Sequence, residues 1–240
     1  MATLSLLNLV KTYNKRKVVN SVSLKIEGSS VVGLLGPNGA GKTTTFYMTI
    51  GIIQPDRGQV FLNDEDITEY PMYMRARKGL GYLPQEPSIF RKLSVRENIM
   101  AILETLSISR IEQKDRTNRV LNELGIKHLA EQNSNQLSGG ERRRLEIARA
   151  LATNPAFILL DEPFAGIDPL AITDIKKIIL FLKNRGIGTL ISDHNVRETL
   201  GVCDKAYILC DGGIIESGSP EKIASSETAC RAYLGNGFRL

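Results

Sequence analysis

The beginning of the chain alternates apolar and polar residues in two stretches, residues 4–9 and 18–26. Such alternation predicts strands with one buried and one exposed face, and a basic turn at residues 15–17 separates the two. A further short strand is predicted at residues 60–62. We therefore expect an N-terminal β part built from antiparallel strands.

Three later stretches, residues 30–35, 156–162 and 188–194, contain longer apolar runs. Continuous runs of this kind are typical of strands that are covered on both faces, as in a parallel sheet. A hairpin is predicted where Asp211-Gly212 separates two short strands near the end of the chain. The pattern as a whole predicts an α/β fold with a parallel sheet at its centre.

Residues 87–151 change to helical periodicity with little strand signal. Ser94 and Glu97 have the spacing of a capping box, which predicts a helix that runs to about residue 106. A second helix is predicted over residues 111–124. This part of the chain is therefore expected to form a helical insertion.

The length and composition fit one large domain that carries such an insertion, since 240 residues with 42% hydrophobic content can bury a sizeable core. We expect residues 1–86 and 152–240 to form the α/β core and residues 87–151 to form a helical subdomain.

The charge balance excludes few functions, because 31 basic residues against 26 acidic ones give a net charge of only +5. The basic clusters are short and are not interleaved with aromatic residues, so we expect no direct binding to nucleic acid. Cys203, Cys210 and Cys230 are odd in number and lack CxxC spacing, which is typical of reduced thiols in a cytosolic protein. No apolar run approaches the roughly 18 residues that span a bilayer, and no signal peptide is visible.

The apolar run at residues 30–35 leads into a glycine-rich turn, which a short helix over residues 43–50 follows. The turn fits the phosphate-binding pattern of Gly, four residues, Gly-Lys and then Ser or Thr. Its backbone N–H groups can surround a polyphosphate, Lys42 can reach the β- and γ-phosphates, and the Thr43 hydroxyl can bind Mg²⁺. The candidate nucleotide-binding residues are Gly36, Pro37, Asn38, Gly39, Ala40, Gly41, Lys42, Thr43 and Thr44.

Two carboxylates, Asp161 and Glu162, close the apolar run at residues 156–162. In phosphate-loop enzymes a carboxylate after a buried strand holds Mg²⁺, a role that we assign to Asp161. Glu162 is then placed to polarise an attacking water. Ligands of open α/β sheets bind outside the carboxyl ends of the strands, where Gln85 and His194 are also predicted to lie.

A second glycine pair lies in residues 137–141, whose sequence is LSGGE. Its Ser and Glu have capping-box spacing before a helix predicted over residues 142–151. Two glycines in a first helical turn weaken the helix by about 1 kcal/mol each, but they leave the backbone open to a close anion. We therefore expect Ser138, Gly139 and Gly140 to face phosphate groups.

The phosphate loop, Gln85, LSGGE, the Asp161-Glu162 pair and His194 together resemble, in this order, the motifs of the ATP-binding cassette family. The resemblance extends over almost the whole chain, since Tyr13 is similar to the adenine-stacking aromatic of that family and residues 166–168 are similar to its D-loop. It implies an α/β phosphate-loop NTPase core with a parallel sheet, an N-terminal antiparallel β part and a helical insertion.

The resemblance also implies a mechanism. Two copies would form a homodimer that sandwiches two ATP molecules, and LSGGE of one copy would complete the site of the other. Glu162 would be the general base, Gln85 would sense Mg²⁺ and water, and His194 would contact the γ-phosphate. The implied cofactors are ATP and Mg²⁺, and the implied metal ligands are Thr43, Gln85 and Asp161.

Four stretches resemble one subgroup of the family more closely, the ATPase subunits of bacterial lipopolysaccharide exporters. They are residues 81–99, 161–169, 192–200 and 233–240. This resemblance implies a subunit on the cytoplasmic face of the inner membrane, bound to two transmembrane subunits, that drives lipopolysaccharide extraction toward the outer membrane. ATPases of branched-chain amino-acid importers are similar in sequence, and a soluble cassette ATPase of iron–sulfur cluster assembly is the alternative that needs no membrane.

In the cassette family, the region matching residues 86–98 forms a groove that receives a helix of the membrane subunit. Ile89, Phe90 and Leu93 can supply apolar contacts to such a helix. The alternative is that Phe90 only packs the helical insertion against the core. Both interpretations of Phe90 are open at the level of the sequence.

Overall fold

The computed structural model describes residues 2–166, 169–235, 237, 238 and 240. Ile167 and Asp168 of the predicted D-loop, and Asn236 and Arg239 near the C-terminus, therefore lie outside the described residues. The strands are β1 (Thr3–Tyr13), β2 (Arg16–Glu27), β3 (Val31–Leu35), β4 (Arg57–Leu62), β5 (Glu65–Asp66), β6 (Leu80–Leu83), β7 (Phe157–Asp161), β8 (Gly188–Ser192), β9 (Lys205–Cys210) and β10 (Gly213–Gly218).

The helices lie between and after these strands, and they include short 3₁₀ and π-helical turns. They are α1 (Lys42–Ile50), α2 (Met72–Arg77), α3 (Val95–Leu103), α4 (Arg110–Glu123), α5 (Gly139–Ala152), α6 (Pro169–Asn184), α7 (Val196–Leu200), α8 (Pro220–Ser225), α9 (Glu227–Ala229), the 3₁₀ turns Lys127–Leu129 and Ser134–Gln136, and a π-helical turn at Cys230–Leu234. Across the described ranges, we find no helix with the length and apolar character that crossing a membrane requires.

An antiparallel sheet in the order β2–β1–β4–β5 forms the N-terminal part of the fold. Leu4 and Leu6 of β1 are buried on one face, opposite Ile26 and Leu24 of β2, as the alternating pattern predicted. The antiparallel β part is confirmed.

A second sheet has the order β10–β9–β3–β8–β7–β6. Strands β9, β3, β8, β7 and β6 run parallel, and β10 returns antiparallel to β9 through the predicted turn at Asp211 and Gly212. Both turn residues have positive φ, 47° and 79°, as this kind of tight hairpin requires. The α/β fold with a central parallel sheet is confirmed.

The parallel strands are apolar along their length because both faces are covered. On one face Ile158 and Ile191 pack in a cluster with α3, α4, α5 and α6. On the other face Leu159 and Leu190 pack in a cluster with the antiparallel sheet and α1. Since successive side chains of a strand point to opposite faces, residues in one run serve two different cores.

The helices α3, α4 and α5 all lie in or at the border of the predicted helical insertion. The Ser94 capping box is confirmed, since Ser94 Oγ accepts from Glu97 N and Glu97 Oε2 accepts from Ser94 N. The helix ends at Leu103 rather than near residue 106. The Thr105 and Leu106 amides donate to carbonyl oxygens three residues back, and not four as in an α-helix. The division of the chain that makes residues 87–151 a separate subdomain stays a prediction.

Candidate functional site

The phosphate loop joins β3 to α1, and two of its glycines are required by its packing on other parts of the chain. A side chain on Gly36 would collide with the carbonyl oxygen of Leu209 on β9. A Cβ on Gly41 would lie 2.5 Å from the carbonyl oxygen of Val18 on β2. The path of the loop is therefore fixed between the parallel sheet and the N-terminal hairpin.

Lys42 begins α1 with its side chain folded into the loop. Its ammonium donates to the carbonyl oxygens of Gly36, at 2.6 Å, and Pro37, at 3.0 Å. Burial lowers the pKa of Lys42, while the nearby carboxylates of Glu162 and Asp161 oppose that shift. The loop therefore holds a preplaced cation near the two acidic residues at the carboxyl end of β7.

The carboxyl ends of β7 and β8 lie side by side, since Asp161 pairs with Ser192 in the parallel register. Glu162 follows Asp161, and its amide donates to the Ser192 carbonyl at 2.6 Å. Glu162 has a φ of 46°, a left-handed conformation that costs a non-glycine residue about 1–3 kcal/mol. The backbone bond to β8 holds this residue in the conformation that points its side chain toward the strand ends.

Asp161 is buried, and its carboxylate has one partner that the sequence analysis missed. The hydroxyl of Tyr82, on the neighbouring strand β6, donates to Asp161 Oδ2 at 3.3 Å. Burial raises the pKa of Asp161, and the hydrogen bond from Tyr82 opposes it. Tyr82 lies three residues before Gln85, and no local pattern distinguishes it from a core tyrosine.

Glu162 brings the three predicted catalytic residues together. Gln85, two residues beyond β6, donates its Nε2 to Glu162 Oε2 at 2.8 Å. His194, two residues beyond β8, places Nδ1 3.5 Å from the same oxygen. Side chains from three strand ends thus meet at one carboxylate oxygen, as the sheet topology requires.

Asp193 is a second residue that sequence reasoning missed. It is fully buried, and its carboxylate accepts from the Phe164 amide at 2.8 Å and from the Asn195 amide at 2.7 Å. Burial raises its pKa, against these two hydrogen bonds. It ties the segment after Glu162 to the segment that carries His194, and its position between a buried strand and that histidine was the available signal.

The oxygen donors at this site fit Mg²⁺. Asp161 offers a carboxylate and Thr43 an exposed hydroxyl, which are the hard ligands that this ion prefers. The described residues contain no cluster of three His, Cys, Asp or Glu side chains that could form a complete metal cage. Mg²⁺ characteristically binds through one or two carboxylates together with substrate phosphates and water, so the donor set suits an ion carried with a nucleotide.

LSGGE forms the start of α5, and its capping box is confirmed. Ser138 N donates to Glu141 Oε2 at 2.9 Å, and Ser138 Oγ accepts from Glu141 N. The helix begins at Gly139, so the predicted start at residue 142 was wrong. The capping box supplies partners to the first amides, which offsets the low helix propensity of the two glycines.

The two glycines of LSGGE are not required by contacts within the chain. A Cβ on Gly139 or on Gly140 would meet no atom within 4 Å. Gly139 borders a cleft of 260 Å³ that Gln85 and Glu162 also line. Within the described part of the chain, no hydrogen bond joins Ser138 or Gly140 to the phosphate loop.

Tyr13 ends β1 at the tip of the N-terminal hairpin, with its ring exposed. Lys11 Nζ lies 5.7 Å from the ring centroid. The other strand of the same hairpin contacts Gly41 through Val18, which places the hairpin beside the phosphate loop. An exposed aromatic ring here is available for stacking.

Comparison with known proteins shows what this arrangement is similar to. The ABC transporter family model matches residues 19–165. Proteins named lipopolysaccharide export system ATP-binding protein LptB, from Acidithiobacillus ferridurans and Escherichia coli K12, are each 55% identical to the chain; the alignments cover 97% and 100% of it and the same shares of the two relatives.

Among solved structures, the ADP conformation of MJ1267, described as an ATP-binding cassette of an ABC transporter, is similar over 98% of this chain and 100% of its own. The TM-score is 0.87 at 30% sequence identity. The matched sequence, the shared fold and the cluster of loop, carboxylates, glutamine and histidine agree: the chain belongs to the ABC transporter family, as one of its ATP-binding cassettes.

Proposed function

We propose that this chain is the ATP-hydrolysing motor of a lipopolysaccharide exporter and drives extraction of lipopolysaccharide from the inner membrane toward the outer membrane. The observation that supports lipopolysaccharide as the cargo is the 55% identity, over the full length of both chains, to a protein named for lipopolysaccharide export. The remaining steps of the proposal rest on the geometry of the site.

ATP would bind with its phosphates on the loop from Gly36 to Thr44. The backbone amides at the start of α1 and the Lys42 ammonium supply positive charge at the β- and γ-phosphates. The exposed ring of Tyr13 would stack on adenine. Thr43, Asp161 and Gln85 would hold Mg²⁺, which when bound would neutralise charge on the phosphate oxygens.

Hydrolysis would proceed from the cluster around Glu162. A water that Gln85 orients attacks the γ-phosphorus, Glu162 accepts the proton of that water, and the bond from phosphorus to the ADP oxygen breaks. His194 would donate to the γ-phosphate and stabilise the charge that moves onto it. The 2.8 Å and 3.5 Å distances from Glu162 to Gln85 and His194 support this assignment, since all three side chains can reach one water.

A second copy of the chain would complete the site. The face of Gly139 and Gly140 is open within one copy, so these glycines have no steric role in its own fold. Glycines at a helix N-terminus let a phosphate approach the backbone closely. We therefore propose a homodimer in which Ser138, Gly139 and Gly140 of one copy contact ATP held by the other.

Two transmembrane subunits would dock at the helical subdomain, which we take as residues 87–151, against a core of residues 1–86 and 152–240. The ring of Phe90 is 44% exposed, whereas its neighbour Ile89 is buried. Phe90 lies next to a groove of 180 Å³ that Met72, Ile102 and Arg149 line. An exposed aromatic beside a groove supports partner contact rather than internal packing. Docking there would hold the chain on the cytoplasmic face of the inner membrane.

Co-purification tests the proposal. The affinity-tagged full chain is extracted from its native membranes in mild detergent, and the bound integral membrane proteins are identified by mass spectrometry against an untagged control. We expect the two transmembrane subunits of a lipopolysaccharide exporter. Recovery of the permeases of a branched-chain amino-acid importer would contradict lipopolysaccharide as the cargo. Recovery of iron–sulfur assembly proteins without any membrane subunit would contradict a role at the membrane.

A further inference from the structure

The segment that follows β6, residues 84–90, links the catalytic cluster to the surface that we assign to the membrane partner. Near its beginning, Gln85 is hydrogen-bonded to Glu162. At its end, the ring of Phe90 is exposed. We call residues 84–90 the Gln85 segment.

Glu146, on α5, contacts the middle of the Gln85 segment. Its Oε1 accepts from the Ser88 backbone amide at 2.9 Å, and its Oε2 accepts from Arg143 Nη1 at 3.0 Å. Glu146 is only 5% exposed. A buried carboxylate is costly unless its oxygens are paired, so these two bonds are the contacts that retain it there.

Two arginines of α5 extend the same contact. Arg143 Nη1 lies 3.4 Å from the Pro84 carbonyl oxygen, at the beginning of the segment. Arg149 donates to the Ser88 carbonyl, and its guanidinium lies 4.5 Å from the centroid of the Phe90 ring. Arg143, Glu146 and Arg149 are spaced three residues apart, which places them along one side of the helix.

Glu146 lies between two concave surfaces of the protein. Glu146 borders the cleft at Gln85 and Glu162 on one side and the groove beside Phe90 on the other. The helix that carries it begins at LSGGE. The Ser88 amide therefore joins the segment that carries Gln85 to α5.

We propose that Glu146 is a positioning residue that fixes the Gln85 segment to α5, so that Gln85 and LSGGE move as one unit during hydrolysis. This inference rests on the proposed function. Glu146 acts through the backbone of Ser88, whose amide donates to its carboxylate. Without its carboxylate, the Ser88 amide and Arg143 lose an acceptor, and the distance between Gln85 and α5 is no longer fixed.

Steady-state ATPase kinetics of the purified full chain test this inference. Glu146→Ala should lower kcat by about tenfold or more with KM changed by less than about threefold, because the catalytic groups are misplaced while the phosphate loop is intact. Glu146→Gln should keep at least about half of the wild-type kcat, because its amide oxygen can still accept from Ser88 N. The control is Glu112→Ala, which removes a carboxylate of an ion pair with Arg116 on α4, away from the segment.

Melting curves define a temperature at which every variant is folded, and the assays are made there. A purely structural role would lower the melting temperature of Glu146→Ala and leave the kcat of its folded form within about twofold of the wild type. That result, or a Glu146→Gln variant as slow as Glu146→Ala, would overturn the inference. A wild-type chain without ATPase activity would instead contradict the proposed function.

Discussion

Gln85 donates its side-chain amide to Glu162 Oε2 at 2.8 Å, and this bond joins the strand ends of β6 and β7. His194 Nδ1 lies 3.5 Å from the same oxygen. A water bound at Glu162 is therefore within reach of Gln85, whose segment contacts α5, and of His194, which follows β8. The proposed base is the point at which the ends of β6, β7 and β8 meet.

Glu162→Gln should keep ATP binding and nearly abolish hydrolysis, because the amide cannot accept the proton of the attacking water. We expect a loss of about 10²–10⁴-fold in kcat, the usual contribution of a general base. Equilibrium nucleotide binding and phosphate release are measured on the same sample. Glu86→Gln is the matched control, since Glu86 is an exposed carboxylate on the same loop as Gln85; hydrolysis by Glu162→Gln at the wild-type rate would show that Glu162 is not the base.

Gly140→Ala separates the role of LSGGE in folding from its role in the site. Alanine has room within the chain and favours helix over glycine by about 1 kcal/mol, so the variant should melt at the same or a higher temperature. Its ATPase rate should fall, because the added methyl group occupies the space that the phosphate of the partner's ATP approaches. Full activity in this stabilised variant would argue against contact between Gly140 and nucleotide.

Phe90→Ala distinguishes the two interpretations of this residue. Since the ring is 44% exposed, we expect a small shift in melting temperature, unchanged ATP binding and loss of co-purification with membrane subunits. The neighbouring Ile89→Ala is the control for a core truncation and should cost about 2–5 kcal/mol of stability. A melting shift for Phe90→Ala as large as that of Ile89→Ala would assign Phe90 to internal packing.

The Glu216 carboxylate should produce a pH dependence of stability. Hydrogen bonds from Lys222, at 3.0 Å, and from Ser226, at 2.9 Å, lower the pKa of Glu216 from 4.5 to about 2. A carboxylate with a lowered pKa in the folded state contributes stability that is fully present above pH 4.5 and is lost as the pH falls toward 2.

Glu216→Gln should therefore melt below the wild type near neutral pH, and the difference should shrink as the pH falls through that window. Differential scanning calorimetry at a series of pH values measures it. The control is Glu227→Gln, because Glu227 is exposed and forms a surface ion pair with Arg231. If the difference in melting temperature between wild type and Glu216→Gln stays constant down to the lowest pH, Glu216 is not the cause of the pH dependence.

The features that depend on near neighbours in the chain could be predicted from the sequence. The capping boxes at Ser94 and Ser138 and the hairpin turn at Asp211-Gly212 each need only a few adjacent residues. The phosphate loop could be recognised for the same reason, because its pattern of residue types lies within eight consecutive residues, 36–43. The predicted start of α5 at residue 142 was wrong because the Ser138 cap places the first helical turn at Gly139.

The contacts that arrange the site could not be predicted, because they join residues far apart in sequence. Glu146 and Ser88 are 58 residues apart, and Asp193 and Phe164 are 29 apart. The need for glycine at residue 36 arises likewise from the carbonyl of Leu209, on a distant strand. Only the tertiary fold brings such pairs together.

Mixing two inactive variants is the sharpest test of whether one ATP is hydrolysed between two copies of this chain. Lys42→Ala damages the phosphate loop and Ser138→Arg damages LSGGE, so each variant alone should be inactive. In a heterodimer, one composite site carries both lesions and the other carries none. We predict that mixing restores part of the wild-type ATPase rate; no recovery, with heterodimers shown to form by capture of one tagged variant with the other, would contradict the account.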